Sequence, residues 1–233
     1  GAKIFPILDA YDTFDEYQAP GPRKPTESIG NVLKRSITII LFLGLMAWAG
    51  TAAATTPDGA SKFIGNLSSK ASSTLNSGGL SLNQKEAQVR QLLSESFDLK
   101  LIGRFVLGRA WKKSSKEQRV QYLGLFEQFV LRTYSRRLGG YTGQKFNVIN
   151  AKNFGKKDVL VTTKISRPSG PPVEARWRVR LRKKGHKIID VMVAGVSMVQ
   201  TQKSEFRSVV KRQGVSGLIE TLRLQVSKFS AQK

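Results

Sequence analysis

The sequence contains no cysteine, which excludes disulfides, thiolate nucleophiles and cysteine-based zinc sites. Histidine is almost missing as well. His186 stands alone in 233 residues, on a basic turn beside Gly185 where a turn role outweighs that of a catalytic base. Acidic side chains are few, 16 against 39 basic ones, and no pair shares a helix face beside the histidine. No glycine motif for cradling phosphate occurs. The GGYTG stretch at 139–143 lacks a strand before it and a helix after it. These gaps argue against catalysis, and the chain reads as a non-enzyme without metal or cofactor.

What is present in excess is positive charge. The net charge is +23 and the pI about 10.6, a balance that turns attention to nucleic acid or anionic membrane surfaces. Residues 1–54 hold five basic and five acidic side chains, so the whole excess follows them. Residues 1–33 are polar, contain Pro and Gly, and show no sustained period; they read as a disordered leader. Lys34 and Arg35 then precede the apolar run ITIILFLGLMAWA at 37–49, with Ala52, Ala53 and Ala54 after it. A basic region, an apolar segment and small residues in this order make residues 34–54 a secretory signal, cleaved after Ala54. An uncleaved anchor is the other reading of the same run, although 37–54 is short for crossing a bilayer.

Residues 55–233 are enough for one domain with a substantial core. Phe63, Ile64 and Leu67 mark a short helix before the Ser77-Gly78-Gly79 break. Ser81 with Gln84 opens another, and 97–111 forms a shorter one broken near Gly108. Ser114 with Glu117 caps the longest helix, whose stripe includes Val120, Leu123, Phe126, Phe129, Val130, Tyr134 and Leu138. The period then changes from 3.6 to 2. Four strands are expected at 146–150, 159–165, 175–181 and 188–194, joined by turns at 153–157, 168–172 and 183–185. Helices at 203–212 and 216–229 close the chain. Helices, an antiparallel meander and helices again give an α+β fold, a curved four-stranded sheet against a helical layer.

The sharpest alternation is EARWRVRLRKK at 174–184. Ala175, Trp177, Val179 and Leu181 point one way, and Arg176, Arg178, Arg180 and Arg182 the other. Four arginines on one face repel each other, so the face is wet or meets anions. Both a solvated face that blunts aggregation and an anion-binding one stay open. Nucleic acid fits poorly, because stacking aromatics belong on the basic face and Trp177 lies opposite. An exported basic protein instead meets anionic headgroups or acidic proteins, and a basic interaction module for such partners is one reading of the function.

The last strand, within HKIIDVMVAGVSMV at 186–199, places Ile189, Val191 and Val193 on one face. Ile188, Asp190, Met192 and Ala194 fall on the other, and Gly195 interrupts the alternation as a bulge or bend. A strand apolar on much of both faces needs cover on both. That cover is core alone, or core on one side and a ligand cavity on the other.

Two blocks carry a family likeness. The first runs FDLKLIGRFVLGRAWKKSSKEQRVQYLGLFEQFVLRTYSRRL and the second DVMVAGVSMVQTQKSEFRSVVKRQGVSGLIETL. Phe105, Leu107, Gly108, Trp111, Gln118, Arg119, Phe126, Phe129, Tyr134 and Leu138 match in the first. Asp190, Val191, Gly195, Val196, Ser197, Phe206, Gly214, Leu218 and Ile219 match in the second. Over residues 81–228 the chain resembles the MlaC family of periplasmic lipid-binding proteins, also called the toluene-tolerance family. It departs where a tryptophan commonly stands at or beside His186, and residues 1–33 have no counterpart.

The resemblance implies an NTF2-like cone with an apolar cavity, and a monomeric periplasmic carrier of phospholipid between the outer and inner membranes. It implies as partners an outer-membrane lipoprotein complex and an inner-membrane ABC transporter with an MCE-domain subunit. A hopanoid-associated branch of the family shares the pattern. The expected lining of the cavity is Phe105, Leu107, Trp111, Phe126, Val130 and Tyr134 from helices. Trp177, Val179, Val191, Val193, Val196 and Met198 line it from the sheet.

Overall fold

The computed structural model of the chain describes residues 55–139, 145–166 and 171–231. The leader and signal segment at 1–54 lie outside the described residues, as do 140–144 in the glycine-rich stretch and 167–170 in the second turn.

Helix α1, Pro57–Leu75, starts at Thr56, whose Oγ1 accepts from the Gly59 N–H at 3.1 Å, and has proline in its first turn. It is longer than the apolar spacing indicates. One row, Ala60, Phe63, Ile64 and Leu67, packs on the sheet, so the remaining serines and lysines stay polar at no cost. Thr55 ties its start to the sheet, donating to the Lys157 carbonyl and accepting from the Leu181 N–H.

Helix α2, Leu82–Ser96, carries the Ser81–Gln84 capping box. Helix α3, Leu99–Leu107, is capped by Asp98 and ends at Gly108 with φ 60° and ψ −127°, after which α4 runs Arg109–Lys113. Helix α5, Lys116–Gly139, begins one residue later than expected. Ser115 and Gln118 form its reciprocal cap. Ser114 is unavailable because it is buried, with its hydroxyl donating to the Ala110 carbonyl at 2.8 Å.

Strands β1 (Lys145–Phe154), β2 (Asp158–Ser166), β3 (Val173–Arg182), β4 (Gly185–Val193) and β5 (Val196–Ser197) form an antiparallel meander in chain order. The fifth strand was not expected. Ala194 and Gly195 both take positive φ, 49° and 81°, and close a two-residue hairpin that pairs Val193 with Val196. The bulge lies earlier. Register passes from Arg178↔Asp190 to Val179↔Ile188, leaving Ile189 unpaired. Ile188 therefore joins Val191 and Val193 on one face instead of opposing them.

The two expected C-terminal helices both form, end to end over Met198–Ala231 and labelled α6 together, with a non-helical break between them at Gly214, φ 69° and ψ −176°.

Two apolar clusters hold these pieces. Val159, Val161, Val179 and Ile188 on the inner sheet face close against Ala60 and Ile64 of α1, all at 1% exposure or less. On the helical side, Tyr122, Phe126 and Phe129 of α5 meet Phe206 of α6, with ring centroids 6.2 to 6.4 Å from that phenylalanine. Gly103 lets α3 approach α5 closely; a Cβ there would lie 2.8 Å from the Phe126 ring. Tyr122 donates to the Gly103 carbonyl at 2.9 Å, and burial pushes its phenol well above the usual tyrosine range. Val120, placed in the apolar stripe by its spacing, is 73% exposed. It lies on the far side of the helix from Tyr122, which begins the buried row.

Candidate functional site

The inner face of the sheet has an apolar centre and an incompletely covered margin. Around the buried cluster, Phe63, Leu67, Phe97, Val148, Ala151, Trp177 and Val191 are only partly buried. Trp177 is fixed there by its indole N–H, which donates to Thr163 Oγ1 at 2.9 Å. Thr163 in turn donates to the Ala175 carbonyl, so the tryptophan's polar edge is satisfied inside an otherwise apolar surface. Register puts Val191 opposite Trp177 and Val193 opposite Ala175. These four share the inner face, while Met192 pairs with Arg176 on the outer one.

Beside this face opens a cleft of about 1000 Å³, between the α2–α3 junction, the β3–β4 hairpin and Glu127 of α5. That size is at the upper end for ligand pockets. Phe97, Leu99 and Leu181 supply its apolar lining, and Phe97 also packs on the inner-face cluster. Three ties hold its walls. Asp98 accepts from the Leu101 N–H as helix cap and pairs with Arg182 at 2.9 Å. Lys187 donates to the Glu95 carbonyl, and the Asp98 N–H to the Ile188 carbonyl at 3.0 Å. Lys100, Lys183 and Lys184 line the same cleft and are exposed, with no ion-pair partner among the described residues. The result is an amphipathic cleft, apolar below and cationic at the rim.

The residues expected to line a cavity divide into groups. Trp177, Val179 and Val191 come together at the inner face, with Val179 in its fully buried centre. Val193 continues that face to the edge, where Val196 is 44% exposed on the short β5 and Met198 begins α6. Phe126 and Leu107 are buried in the helical layer, and Val130 and Tyr134 are half-buried there. Phe105 and Trp111 stand apart from these, the first exposed and the second half-buried. Phe105 is 43% exposed with Lys203 Nζ 4.1 Å from its ring centre; Trp111 has the Arg104 and Arg119 guanidiniums at 5.6 and 5.3 Å.

The arginine face of β3 meets anions supplied by the chain itself. Asp158, its side chain 2% exposed, receives both Arg178 and Arg180, each at 2.5 Å. Arg176 pairs with Glu174 and Arg182 with Asp98. Burial works to raise the Asp158 carboxyl, but the bonds from Arg180 and Arg178 outweigh it and hold it below the usual carboxylate range. Sequence reading missed Asp158 and the lysine-rimmed cleft. The signal for the first was available, since the meander's register sets Asp158 directly opposite Arg180.

His186 is half-buried, its ring stacked on Phe63 at 5.9 Å, with Nε2 buried and unpartnered. Burial lowers its pKa. Among the described residues no three His, Asp or Glu side chains gather as a metal site would require, and no helix is long and apolar enough to cross a membrane.

Comparison with known proteins bears on this arrangement. The family described as MlaC protein matches residues 66–224, well over half the sequence. The chain belongs to the MlaC family. It is similar to the intermembrane phospholipid transport system binding protein MlaC of Haemophilus influenzae, 26% identical over 144 residues, covering 60% of this chain and 67% of the relative. Its fold is that of a phospholipid-binding protein from Ralstonia solanacearum solved in complex with a phospholipid. There the TM-score is 0.64 at 24% identity, over 73% of this chain and 98% of the other. The α+β class read from the sequence therefore holds, with five strands where four were expected.

Proposed function

We propose that the protein is a phospholipid carrier of the periplasm, exported by the signal at 34–54, that shields acyl chains while moving lipid between outer and inner membranes. The observation that carries this reading is one cleft, in a MlaC-family fold, that joins Phe97, Leu99 and Leu181 to a rim of Lys100, Lys183 and Lys184. Two acyl chains hold roughly 30 methylenes, and at ~0.8 kcal/mol each their exposure would cost on the order of 25 kcal/mol. A carrier must therefore keep them dry. The partly buried margin of the inner face, Trp177, Val191 and Val193 above all, offers that surface next to the cleft. The phosphate would stay at the lysine rim, where charge needs no deep burial.

Transfer from one apolar environment to another leaves the net free energy near zero, which suits a reversible shuttle rather than a catalyst. Its exchange partners on this reading are an outer-membrane lipoprotein complex and an inner-membrane MCE-domain ABC transporter.

The test is native mass spectrometry of protein purified without detergent, followed by lipid extraction. Stoichiometric phospholipid is expected, and a hopanoid in its place would assign the protein to the hopanoid-associated branch. A protein that is empty and cannot be loaded from vesicles would sink the proposal. Val193→Arg is expected to lose lipid while keeping its fold. Global unfolding would assign that position to the core instead.

A further inference from the structure

The corner where α3 meets α4 carries cationic and aromatic surface that the cleft does not use. Between positions 104 and 119 stand six basic side chains, Arg104, Arg109, Lys112, Lys113, Lys116 and Arg119, against one acid, Glu117. All but Arg119 are exposed, and none has an ion-pair partner among the described residues. Arg119 is held by the chain, donating to the Trp111 and Lys112 carbonyls. That bonding sets its guanidinium against the Trp111 ring. This stretch therefore presents five exposed cations around an exposed Phe105 and a half-buried Trp111.

We propose that this corner docks the protein on the surface of an anionic phospholipid bilayer. Amphipathic aromatic rings settle at headgroup depth, and lysines and arginines near an anionic leaflet gain from its surface potential. Five exposed cations on flexible stems, with no carboxylate fixing them, suit a fluid array of phosphates better than the fixed pairing of a protein interface. Nucleic acid is disfavoured because the Trp111 ring, the natural stacking platform, already has two guanidiniums against it. The corner is also well placed. Lys100 at the start of α3 borders the cleft, and Gly108 ends the same helix about 12 Å further on. Docking needs no bound cargo, so it stands or falls separately from the carrier reading.

The experiment is vesicle co-sedimentation with residues 55–233, which contain the whole described core. Vesicles are phosphatidylcholine alone, or an equal mixture with phosphatidylglycerol. Binding is expected only to the mixed vesicles, and its loss in about 1 M salt, where the Debye length is about 3 Å. The triple variant Lys112→Gln, Lys113→Gln, Lys116→Gln should weaken it on the order of 100-fold, at about fivefold per lysine. A matched triple, Lys152→Gln, Lys156→Gln, Lys157→Gln, removes the same charge at the exposed end of β1 and the turn after it and should bind like the wild type.

Equal losses in the two triples would reduce the effect to net charge and overturn the proposal. So would equal binding to both vesicle types, no binding to either, or an unaffected corner triple. Salt-sensitive binding to polyglutamate without vesicle binding would assign the corner to an acidic protein and overturn it as well. Phospholipid content of each variant, read by mass spectrometry, should stay unchanged, which separates failed docking from failed cargo binding.

Discussion

Strand β3 and the α3–α4 corner are two basic regions of this molecule, and they differ in who holds the charge. On β3 the arginines alternate so regularly that the sequence announces them, yet each of Arg176, Arg178, Arg180 and Arg182 has a carboxylate within 3 Å. At the corner the cations are scattered over α3, α4 and the first turn of α5 and announce nothing, yet among the described residues they pair with no carboxylate. Dense charge in a sequence is thus a poor guide to charge available for a partner. What decides is whether the fold brings an acid to it, and that depends on strand register and helix caps.

The largest expected effect comes from breaking the silence of β3. Asp158→Asn removes the anion shared by Arg178 and Arg180, whose side chains are 34% and 24% exposed. Loss of one partner of a buried pair costs ~3–5 kcal/mol; solvent around the guanidiniums reduces that to about 2–3 kcal/mol here. Urea unfolding at neutral pH should show it as a lowered midpoint at unchanged slope. The freed arginines should also give the outer sheet face an affinity for anionic vesicles that the wild-type face lacks. A variant with wild-type stability and vesicle binding would show that pairing is not what occupies the strand. The pH dependence follows from the depressed carboxyl: its contribution is complete above the ordinary value near ~3.9 and is lost as pH falls through the folded value.

A smaller effect tests whether the corner works as geometry or as loose charge. Gly108 has φ 60° and ψ −127°, and an added Cβ would lie 3.3 Å from Lys203 Cε. Gly108→Ala should cost ~1–3 kcal/mol of strain, visible as a lowered melting temperature. It should also turn α4 relative to α3, separating Trp111 from Phe105. Weakened vesicle binding at a temperature where the variant is folded would show that the two rings act together. Full binding despite lost stability would mean that the lysines suffice without a fixed frame.

Much of the fold was legible because it rests on local rules. The Ser81–Gln84 box, the break at Gly108 and the alternation of β3 each follow from a few neighbouring residues. Other features depend on distant contacts. Ser115 caps α5 because Ser114 is buried against Ala110, and the sequence offers both serines equally. The bulge at Ile189 leaves no mark, since apolar residues stand on both sides of it, and so the faces of β4 were assigned with Ile188 on the wrong side. The cleft was invisible for a similar reason. Lys100 and Lys183 are far apart in sequence and become neighbours only when the α2–α3 junction docks on the β3–β4 hairpin through Asp98. Phe105 and Trp111 match the family pattern and were therefore read as lining, whereas the fold leaves Phe105 exposed and Trp111 half-buried beside the Arg104 and Arg119 guanidiniums.

His186 provides the smallest effect and a third way for a fold to dispose of a cation. It is neither paired nor free; burial makes it hard to charge. Phe63 stacks on its ring, and a Cβ on Gly59 would come within 3.1 Å of it. Lys183, Lys184 and Lys187 share its hairpin, while Asp58 on α1 is paired with Lys62 at 2.9 Å. Because burial lowers its folded pKa, the unfolded chain takes up the proton first as pH falls. Stability from this residue is therefore complete above about 6.5 and is lost as pH drops from there through the folded value. His186→Phe keeps the ring stack and removes this titration, so between about pH 7 and about pH 5 it should be spared the decline that His186 gives the wild type; Glu205, pushed up to about 6 by burial, titrates in both and drops out of the comparison. Asp158→Asn should keep that decline, since its own carboxyl acts only at lower pH. If both variants kept the wild-type slope, burial of His186 would have no energetic weight, and only pairing would distinguish one cation of this protein from another.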